Sequence, residues 1–342
     1  MRRARTLGEQ RRGNRGSRGS RGGRCGQGGR GGQGGRLAAA AALVVAGLAA
    51  TAAPAVADDA GALSTLAGHW APFDRCPVDD PAMLAADGVE KAALCLASSA
   101  ESGTMVIGDK TVPVAGTNLQ MGLLGDGVNY TSVSPEGSGI EADPVTVPGG
   151  LLNLMCPSDI PVLTALCEKA ADSRLNRVVA TVEPAGTPRD FSLVAGLGVG
   201  QPIVTLPVKI RLDNPLLGSS CHLGSENDPI LLRPRNVSQP TLTLTRYAPD
   251  GTTQAGGPMS NIELSGADQL DDSFTVPKAH GCGFLGALDW AVNAQLGLPS
   301  PSGANSLVRT AAVTTTGGFY TPSAFAPDQG RLLSEYWHAA TR

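Results

Sequence analysis

The chain has 342 residues, with 27 Lys and Arg against 30 Asp and Glu. The first 57 residues hold 11 Arg and one Glu, so residues 58–342 hold 16 basic and 29 acidic side chains and carry a net charge of −13. An acidic domain does not by default bind nucleic acid or anionic membranes, which attract basic surfaces. These 285 residues are long enough to bury a hydrophobic core.

A disordered leader is predicted at the N-terminal end. Residues 11–36 consist almost wholly of Arg, Gly, Ser and Gln, a composition that buries little apolar surface. An RGG-type nucleic-acid-binding tail is the alternative interpretation. Because this run precedes an export signal and is removed with it, we predict no nucleic-acid partner.

The export signal follows directly. Residues 37–53 contain no charged side chain and precede a proline and the small-x-small sequence Ala55-Val56-Ala57. This arrangement is typical of a signal peptide, and we predict cleavage after Ala57 and removal of residues 1–57. An uncleaved anchor is the alternative, because the run is at the lower end of the roughly 17–25 residues that span a bilayer. No later run is long and apolar enough to span one, so we predict no membrane partner after cleavage.

The first elements after the cleavage site are a helix and a hairpin. Asp80-Pro81 is a helix start, with proline at the first helical position, and it predicts a helix that continues to Leu96 with a break at Gly88. Residues 105–107 and 110–112 flank Gly108-Asp109, which is a two-residue hairpin signal. A second helix is predicted from an apolar stripe over residues 158–170.

Short alternating segments then predict strands over residues 178–182, 203–212, 230–232 and 241–247. In the longest of them, Pro202 and Pro207 favour an edge strand or a bulge. In the last, Leu242 and Leu244 are predicted to face inward, with threonines on the other face.

A third helix is predicted from the stripe Leu285, Leu288, Val292 and Leu296, which ends at Gly297. Residues 299–342 read as a polar, loop-rich segment with a short helix over residues 331–340. We therefore predict that residues 58–298 form one mainly β domain, an antiparallel β-sandwich or barrel-like fold with a few short helices, stapled by disulfides. Two smaller β domains, divided near residues 186–188, are the alternative.

Six cysteines remain after the leader: Cys76, Cys95, Cys156, Cys167, Cys221 and Cys282. An even number in an exported chain indicates three disulfides, although sequence alone allows fifteen pairings. We predict that neighbours along the chain pair with each other: Cys76 with Cys95, Cys156 with Cys167 and Cys221 with Cys282.

Two metal sites are alternatives. Cys221-His222 and His280-Gly281-Cys282 offer the ligand types of tetrahedral zinc, but adjacent Cys-His lacks the usual ligand gap and an oxidising environment favours the disulfide. We predict no cofactor, and calcium is the alternative that the sequence favours over zinc. The candidate is the loop that contains Asp268, Asp271 and Asp272, although it does not match an EF-hand.

Two segments carry a resemblance. One is residues 207–218 running into Cys221-His222, and the other is residues 273–277 running through Gly281-Cys282-Gly283 to Pro299. With the Ala-rich composition, they resemble a group of uncharacterised secreted proteins from actinobacteria. The resemblance supplies no catalytic residue. It supports the pairing of Cys221 with Cys282, because both lie within the resembling segments.

No concentrated reactive cluster is visible. The chain has no Gly-x-Ser-x-Gly elbow, and the spacing of His69, His222, His280 and His338 singles out no triad. We therefore predict a secreted, disulfide-stabilised, non-enzymatic protein of the cell exterior, envelope-associated or adhesive, with an unknown surface or cell-wall partner. An extracellular hydrolase with a site assembled from distant residues is the main alternative. A carrier that holds a small ligand inside the β domain is a third hypothesis, and it requires an apolar cavity.

Overall fold

A computed structural model describes residues 66–126, 129–151, 174–320 and 328–341. The predicted signal peptide with Ala55 and Ala57, the leader, and the predicted helix with Cys156 and Cys167 lie outside these residues. The described strands are, in chain order, Ala92–Ala100 (β1), Ser102–Ile107 (β2), Lys110–Val114 (β3), Thr117–Gly125 (β4), Tyr130–Val133 (β5), Ile140–Ala142 (β6), Val145–Thr146 (β7), Val179–Pro184 (β8), Leu206–Asp213 (β9), His222–Leu223 (β10), Ile230–Leu232 (β11), Arg235–Asn236 (β12), Thr241–Tyr247 (β13), Met259–Asp271 (β14), Ala279–His280 (β15) and Ser306–Phe319 (β16).

Short helices complete the described part of the chain. They are the α-helices Pro81–Leu84 (α1), Leu193–Leu197 (α2), Asp289–Leu296 (α3) and Gln329–Ala339 (α4), and the 3₁₀ helices Gly68–Phe73 and Phe284–Gly286. Two of the α-helices have an N-terminal capping side chain: Asp80 accepts from the N–H of Ala82, and Ser192 accepts from the N–H of Ala195.

The strands form two antiparallel sheets. The larger has the order β12-β14-β16-β1-β4-β5, with β13 beside β14, β2 beside β16, β3 beside β2 and β6 beside β4. The smaller has the order β15-β10-β9-β8-β7, with β11 beside β9. The predicted mainly β, antiparallel fold is confirmed, and residues 60–342 form one compact unit rather than two domains divided near residue 186.

Alternation along β1 shows how the larger sheet is buried on both faces. Leu94 and Leu96 pack into the core between the two sheets, whereas Ala93, Cys95 and Ala97 pack into a second core on the opposite face. Successive side chains of a strand point to opposite faces, so a nearly continuous apolar run fits a strand covered on both sides. The predicted helix from residue 81 to 96 is therefore wrong beyond α1, because short apolar runs do not distinguish a buried strand from a helix.

The second core is covered by segments from the two ends of the described chain. Trp70 and Phe73 come from the first 3₁₀ helix, Met83 from α1 and Leu333 from α4, and all four are buried. The indole N–H of Trp337 on α4 donates to the carbonyl oxygen of Phe73 at 2.7 Å. The Cys76–Cys95 disulfide, with a Cα–Cα distance of 5.6 Å, ties this layer to β1. The pairing of these two cysteines agrees with the prediction. Cys95, however, lies on a strand and not on the predicted helix.

The end of the chain belongs to the core, which corrects the prediction of a loop-rich segment over residues 299–342. β16 pairs with β1, β14 and β2, and α4 confirms the predicted C-terminal helix and packs on α1 and β1. Small side chains explain why the strand was not predicted. A β carbon at Gly317 would meet the ring of Phe73, so the close approach of that ring requires glycine at this position.

Two strand predictions also need correction. β9 is central rather than an edge, because it pairs with β8 on one side and with β10 and β11 on the other. Pro207 is tolerated near the start of β9, where its carbonyl accepts from the N–H of Ala185. Leu242 and Leu244 on β13 are 55% and 53% exposed. The prediction that these two side chains face inward is therefore wrong.

Candidate functional site

The Cys221–Cys282 disulfide joins two loops at one end of the smaller sheet. The Cα atoms of the two cysteines are 4.1 Å apart, and the nearby residues His222 on β10 and His280 on β15 pair in register. The N–H of Gly283 donates to the carbonyl oxygen of Leu217 at 2.7 Å, and the hydroxyl of Ser220 donates to the carbonyl oxygen of Gly281 at 2.9 Å. The loop before β10 and the loop after β15 are therefore fixed to each other by a disulfide and by hydrogen bonds.

The start of α3 is fixed to the same disulfide. The N–H of Cys282 donates to Oδ1 of Asp289 at 2.7 Å, and the N–H of Leu288 donates to the carbonyl oxygen of Cys282 at 2.9 Å. Gly297, in the left-handed conformation, ends α3 as predicted. The segment from Cys282 to α3 is thus held at both ends of its 3₁₀ turn.

Four large apolar side chains of this region face solvent, and together they are named the apolar tip. Phe284 is 85% exposed, Leu285 91%, Trp290 74% and Leu216 52%. Leu216 precedes the buried Leu217, whose backbone contacts the loop that carries Phe284 and Leu285. Single exposed apolar residues are normal on protein surfaces, but a group of large ones on two linked loops marks a contact surface.

The backbone at the apolar tip is strained. Leu285 has a φ of +53°, in the left-handed region where an aliphatic residue is disfavoured. The flanking Gly283 and Gly286 also have positive φ, which glycine adopts without a steric penalty. The prediction that Leu285 lies on the buried stripe of a helix is wrong, because this residue precedes α3. An exposed apolar residue held in a strained turn is typical of a functional loop.

The histidines beside the disulfide do not form a zinc site. Cys221 and Cys282 are bonded to each other. The Nδ1–H of His222 donates to the carbonyl oxygen of Ser220 at 2.9 Å, and the Nε2–H of His280 donates to that of Gly224 at 3.1 Å. Within the described residues, no three His, Cys, Asp or Glu side chains are placed to hold a metal ion.

The calcium candidates lie on or beside β14 rather than in a loop. Asp268 accepts from the N–H of Ala311 at 3.0 Å, and Asp272 forms a bidentate ion pair with Arg235 at 2.8 and 3.0 Å. Asp271 is fully buried and accepts hydrogen bonds from Arg233 and Ser273. The three carboxylates therefore bind separate protein groups, and the calcium hypothesis gains no support from this geometry.

One serine, one histidine and one aspartate do meet in space. Nε2 of His338 donates to the carboxylate of Asp79 at 2.9 Å, and the hydroxyl of Ser334 donates to the same carboxylate at 2.6 Å. A catalytic triad requires the serine to donate to the histidine, which then acts as its base. Here the serine proton points to the aspartate, and the side chains of His338 and Asp79 are 52% and 63% exposed. The arrangement is an anchor for α4, and the hydrolase hypothesis gains no support from it.

His69 contacts two polar side chains and an aromatic ring. Its Nε2 lies 2.9 Å from the hydroxyl oxygen of Thr253, its Nδ1 lies 3.4 Å from the amide nitrogen of Asn261, and its ring lies 5.1 Å from the ring of Tyr247. Each of the four histidines thus forms hydrogen bonds with nearby protein groups. None of them lines the cavities found between the sheets.

No protein-family model, curated protein sequence or solved structure matches this chain. The fold and the cysteines define its class, a β-rich protein stabilised by disulfides. The Cys76–Cys95 and Cys221–Cys282 pairings agree with the prediction. Disulfides persist in oxidising surroundings, so they are consistent with an extracellular protein. In the part of the chain that the structure describes, no helix has both the length and the apolar character to cross a bilayer.

Proposed function

We propose that this protein is a secreted, non-enzymatic binding protein that attaches to a protein of the cell envelope through the apolar tip. The observation that carries the proposal is the exposure of Phe284 and Leu285 on a turn held by the Cys221–Cys282 disulfide, with the exposed Trp290 at the start of α3. Aromatic and large apolar anchors dominate the binding energy of protein interfaces. A turn that is already rigid loses little conformational entropy on binding, which favours affinity.

The charge around the apolar tip favours a protein partner over a lipid surface. The two tip segments, residues 213–222 and 281–290, contain no Lys or Arg and two aspartates, Asp213 and Asp289. Attachment of a protein to anionic lipid depends on basic residues beside the inserted apolar ones. An apolar groove on an envelope protein requires no basic residues beside the apolar side chains that it binds.

A retention assay on cells tests the proposal. Purified protein is mixed with washed cells of the source strain, and the bound fraction is compared for wild type, the double variant Phe284→Ser/Leu285→Ser and the control Val194→Ser. Val194 is 79% exposed on α2, so its substitution removes an exposed apolar side chain at another site. We expect retention of the wild type and the control, and at least a tenfold loss for the double variant.

The same assay distinguishes the kind of partner. We expect cells treated with protease and washed before mixing to lose their capacity to retain the protein. Full retention after this treatment, or equal binding to protein-free lipid vesicles, contradicts the envelope-protein partner. Release of all wild-type protein into the medium contradicts surface attachment as a whole.

A further inference from the structure

A cavity of about 70 Å³ lies between the two sheets, away from the apolar tip. Its walls include Leu96, Met105 and Leu119 from the larger sheet, and Val182, Leu206 and Val208 from the smaller sheet. The side chains around it are mostly apolar, which matches the kind of interior that holds an apolar ligand.

One charged side chain lines this cavity. Arg309, on β16, is only 9% exposed. Its Nη1 donates to Oε1 of Gln269 at 2.8 Å and its Nη2 donates to the hydroxyl of Thr117 at 3.3 Å, while the buried Nε has no hydrogen-bond partner. Both protein partners are neutral. Among the described residues, no carboxylate forms an ion pair with Arg309.

The buried carboxylate on the neighbouring strand does not neutralise this charge. Asp271 lies two residues beyond Gln269 on β14, but its oxygens accept from the N–H of Arg233 and from the N–H and hydroxyl of Ser273. Burial lowers the pKa of Arg309 to about 10, which still leaves the guanidinium protonated at neutral pH. A buried cation with an unused donor and no counter-ion is rare, because the desolvation of a charge is costly unless the charge is paired.

Apolar space continues beyond the cavity along the sandwich. A second space of about 50 Å³ shares Met105, Val114 and Val182 with the first, and Ile210 and Leu212 line its far side. Cavities of this order hold a few carbon atoms, as shown by benzene in an engineered protein cavity of about 150 Å³. The two spaces therefore fit a short apolar chain with one end near Arg309.

We propose that the inter-sheet cavity binds a short-chain monocarboxylate of about three to five carbons in all. The carboxylate accepts from the free Nε–H and a terminal N–H of Arg309, which is the bidentate geometry that guanidinium groups favour. The tail lies between the sheets toward Val182 and Ile210. This inference does not depend on the apolar tip, and either proposal can fail without the other.

Isothermal calorimetry with sodium butanoate and 1-butanol tests the proposal. We expect the wild type to bind butanoate with one-to-one stoichiometry and at least tenfold more tightly than butanol. We expect Arg309→Met to lose at least tenfold in butanoate affinity and to keep its butanol affinity. The control Arg331→Met removes one exposed positive charge on α4 and is expected to leave both affinities unchanged. No butanoate binding by wild type, or an unchanged preference in Arg309→Met, overturns the proposal.

A measurement on the wild type covers the case in which Arg309→Met does not fold. In protein labelled with ¹⁵N at arginine, we expect butanoate to shift the Nε–H resonance of Arg309 and butanol to leave it unchanged. The resonance is assigned with Arg309→Lys, in which it is absent. Equal shifts with both compounds, or none with butanoate, contradict a carboxylate contact at Nε.

Discussion

Arg309 and Gln269 lie directly opposite each other on β16 and β14, and their side chains are joined by a hydrogen bond of 2.8 Å inside the sandwich. A cross-strand pair of this kind is the usual unit by which side chains stabilise a sheet. Here it places a cation and its main acceptor in an otherwise apolar interior. The pair therefore holds the guanidinium in a fixed position at the cavity.

A double-mutant cycle measures this coupling. We expect Gln269→Leu to lower the free energy of unfolding by about 2–3 kcal/mol, because it leaves a buried charged donor without its acceptor. In the background of Arg309→Met the same substitution is expected to remove less, with a coupling energy of about 1–2 kcal/mol. Urea unfolding of the four proteins at pH 7 gives these values. Additive effects contradict a coupled pair.

The strained turn at the apolar tip predicts a substitution that separates stability from binding. Leu285 is 91% exposed and has positive φ, so Leu285→Gly removes strain and no buried contact. We expect the free energy of unfolding to stay unchanged or to rise by about 0.5–1 kcal/mol, while retention on cells falls. A loss of more than about 1 kcal/mol in urea unfolding shows that Leu285 supports the fold instead.

Much of the fold was predictable from local patterns. The hairpin at Gly108-Asp109, the strand Thr241–Tyr247 and the end of α3 at Gly297 follow from turn residues and alternation that act over a few positions. The pairing of neighbouring cysteines likewise holds for Cys76 with Cys95 and Cys221 with Cys282.

The remainder depends on contacts that are distant in sequence. Leu242 and Leu244 alternate with threonines as in a half-buried strand, but both are more than half exposed, so alternation alone did not predict their burial. The role of Arg309 was not predicted, since a charged residue between apolar ones normally faces solvent. The apolar tip carried one usable signal, the adjacent Phe284 and Leu285 between two glycines, which is too short a run for a helix or a strand.

The two disulfides among the described residues are expected to stabilise the fold unequally. In the loop-entropy account, the Cys221–Cys282 bond, with a sequence separation of 61, contributes about 4 kcal/mol. The Cys76–Cys95 bond, with a separation of 19, contributes about 3 kcal/mol. We expect Cys221→Ala/Cys282→Ala to lose more stability in urea unfolding than Cys76→Ala/Cys95→Ala. The reverse order shows that native contacts of the N-terminal layer outweigh loop length.

Tyr247 predicts an alkaline loss of stability. It is fully buried against Trp70, its hydroxyl has no hydrogen-bond partner, and burial raises the pKa of Tyr247 well above its ordinary value of 10.0. As pH rises above 10 the unfolded chain loses this proton first, so the stability that the neutral form contributes below pH 10 is lost progressively. We expect Tyr247→Phe to reduce this loss between pH 9.5 and pH 11 by roughly 1 kcal/mol.

The comparison is made by urea unfolding at each pH, with Tyr320→Phe as the control. Tyr320 is 46% exposed and its ring lies under Arg246, a contact that phenylalanine retains. We expect the control to follow the wild type. If Tyr247→Phe shows the full alkaline loss, another group causes it.

Asp79 predicts an acid loss of stability at the opposite end of the pH range. The hydrogen bond from Ser334 is the main cause that lowers the pKa of Asp79 below its ordinary value of 3.8, with partial burial opposing it and His338 adding to it. A carboxylate with a lowered pKa stabilises the fold above the unfolded value, and this contribution disappears as the pH falls through the folded value. We expect Asp79→Asn to be less stable than wild type at pH 6, with the difference vanishing near pH 2.

The controls for Asp79 separate its charge from general acid sensitivity. Asp109→Asn, in the turn between β2 and β3, is expected to leave the pH dependence unchanged, because Asp109 is exposed.

An NMR titration of the Asp79 carboxyl carbon measures the pKa of this group directly. In Ser334→Ala the midpoint is expected to move up toward 3.8, because the largest stabilising hydrogen bond is gone. An unchanged midpoint means that Ser334 does not hold this carboxylate, and that α4 is anchored by its other contacts, such as those of Trp337 and Leu333.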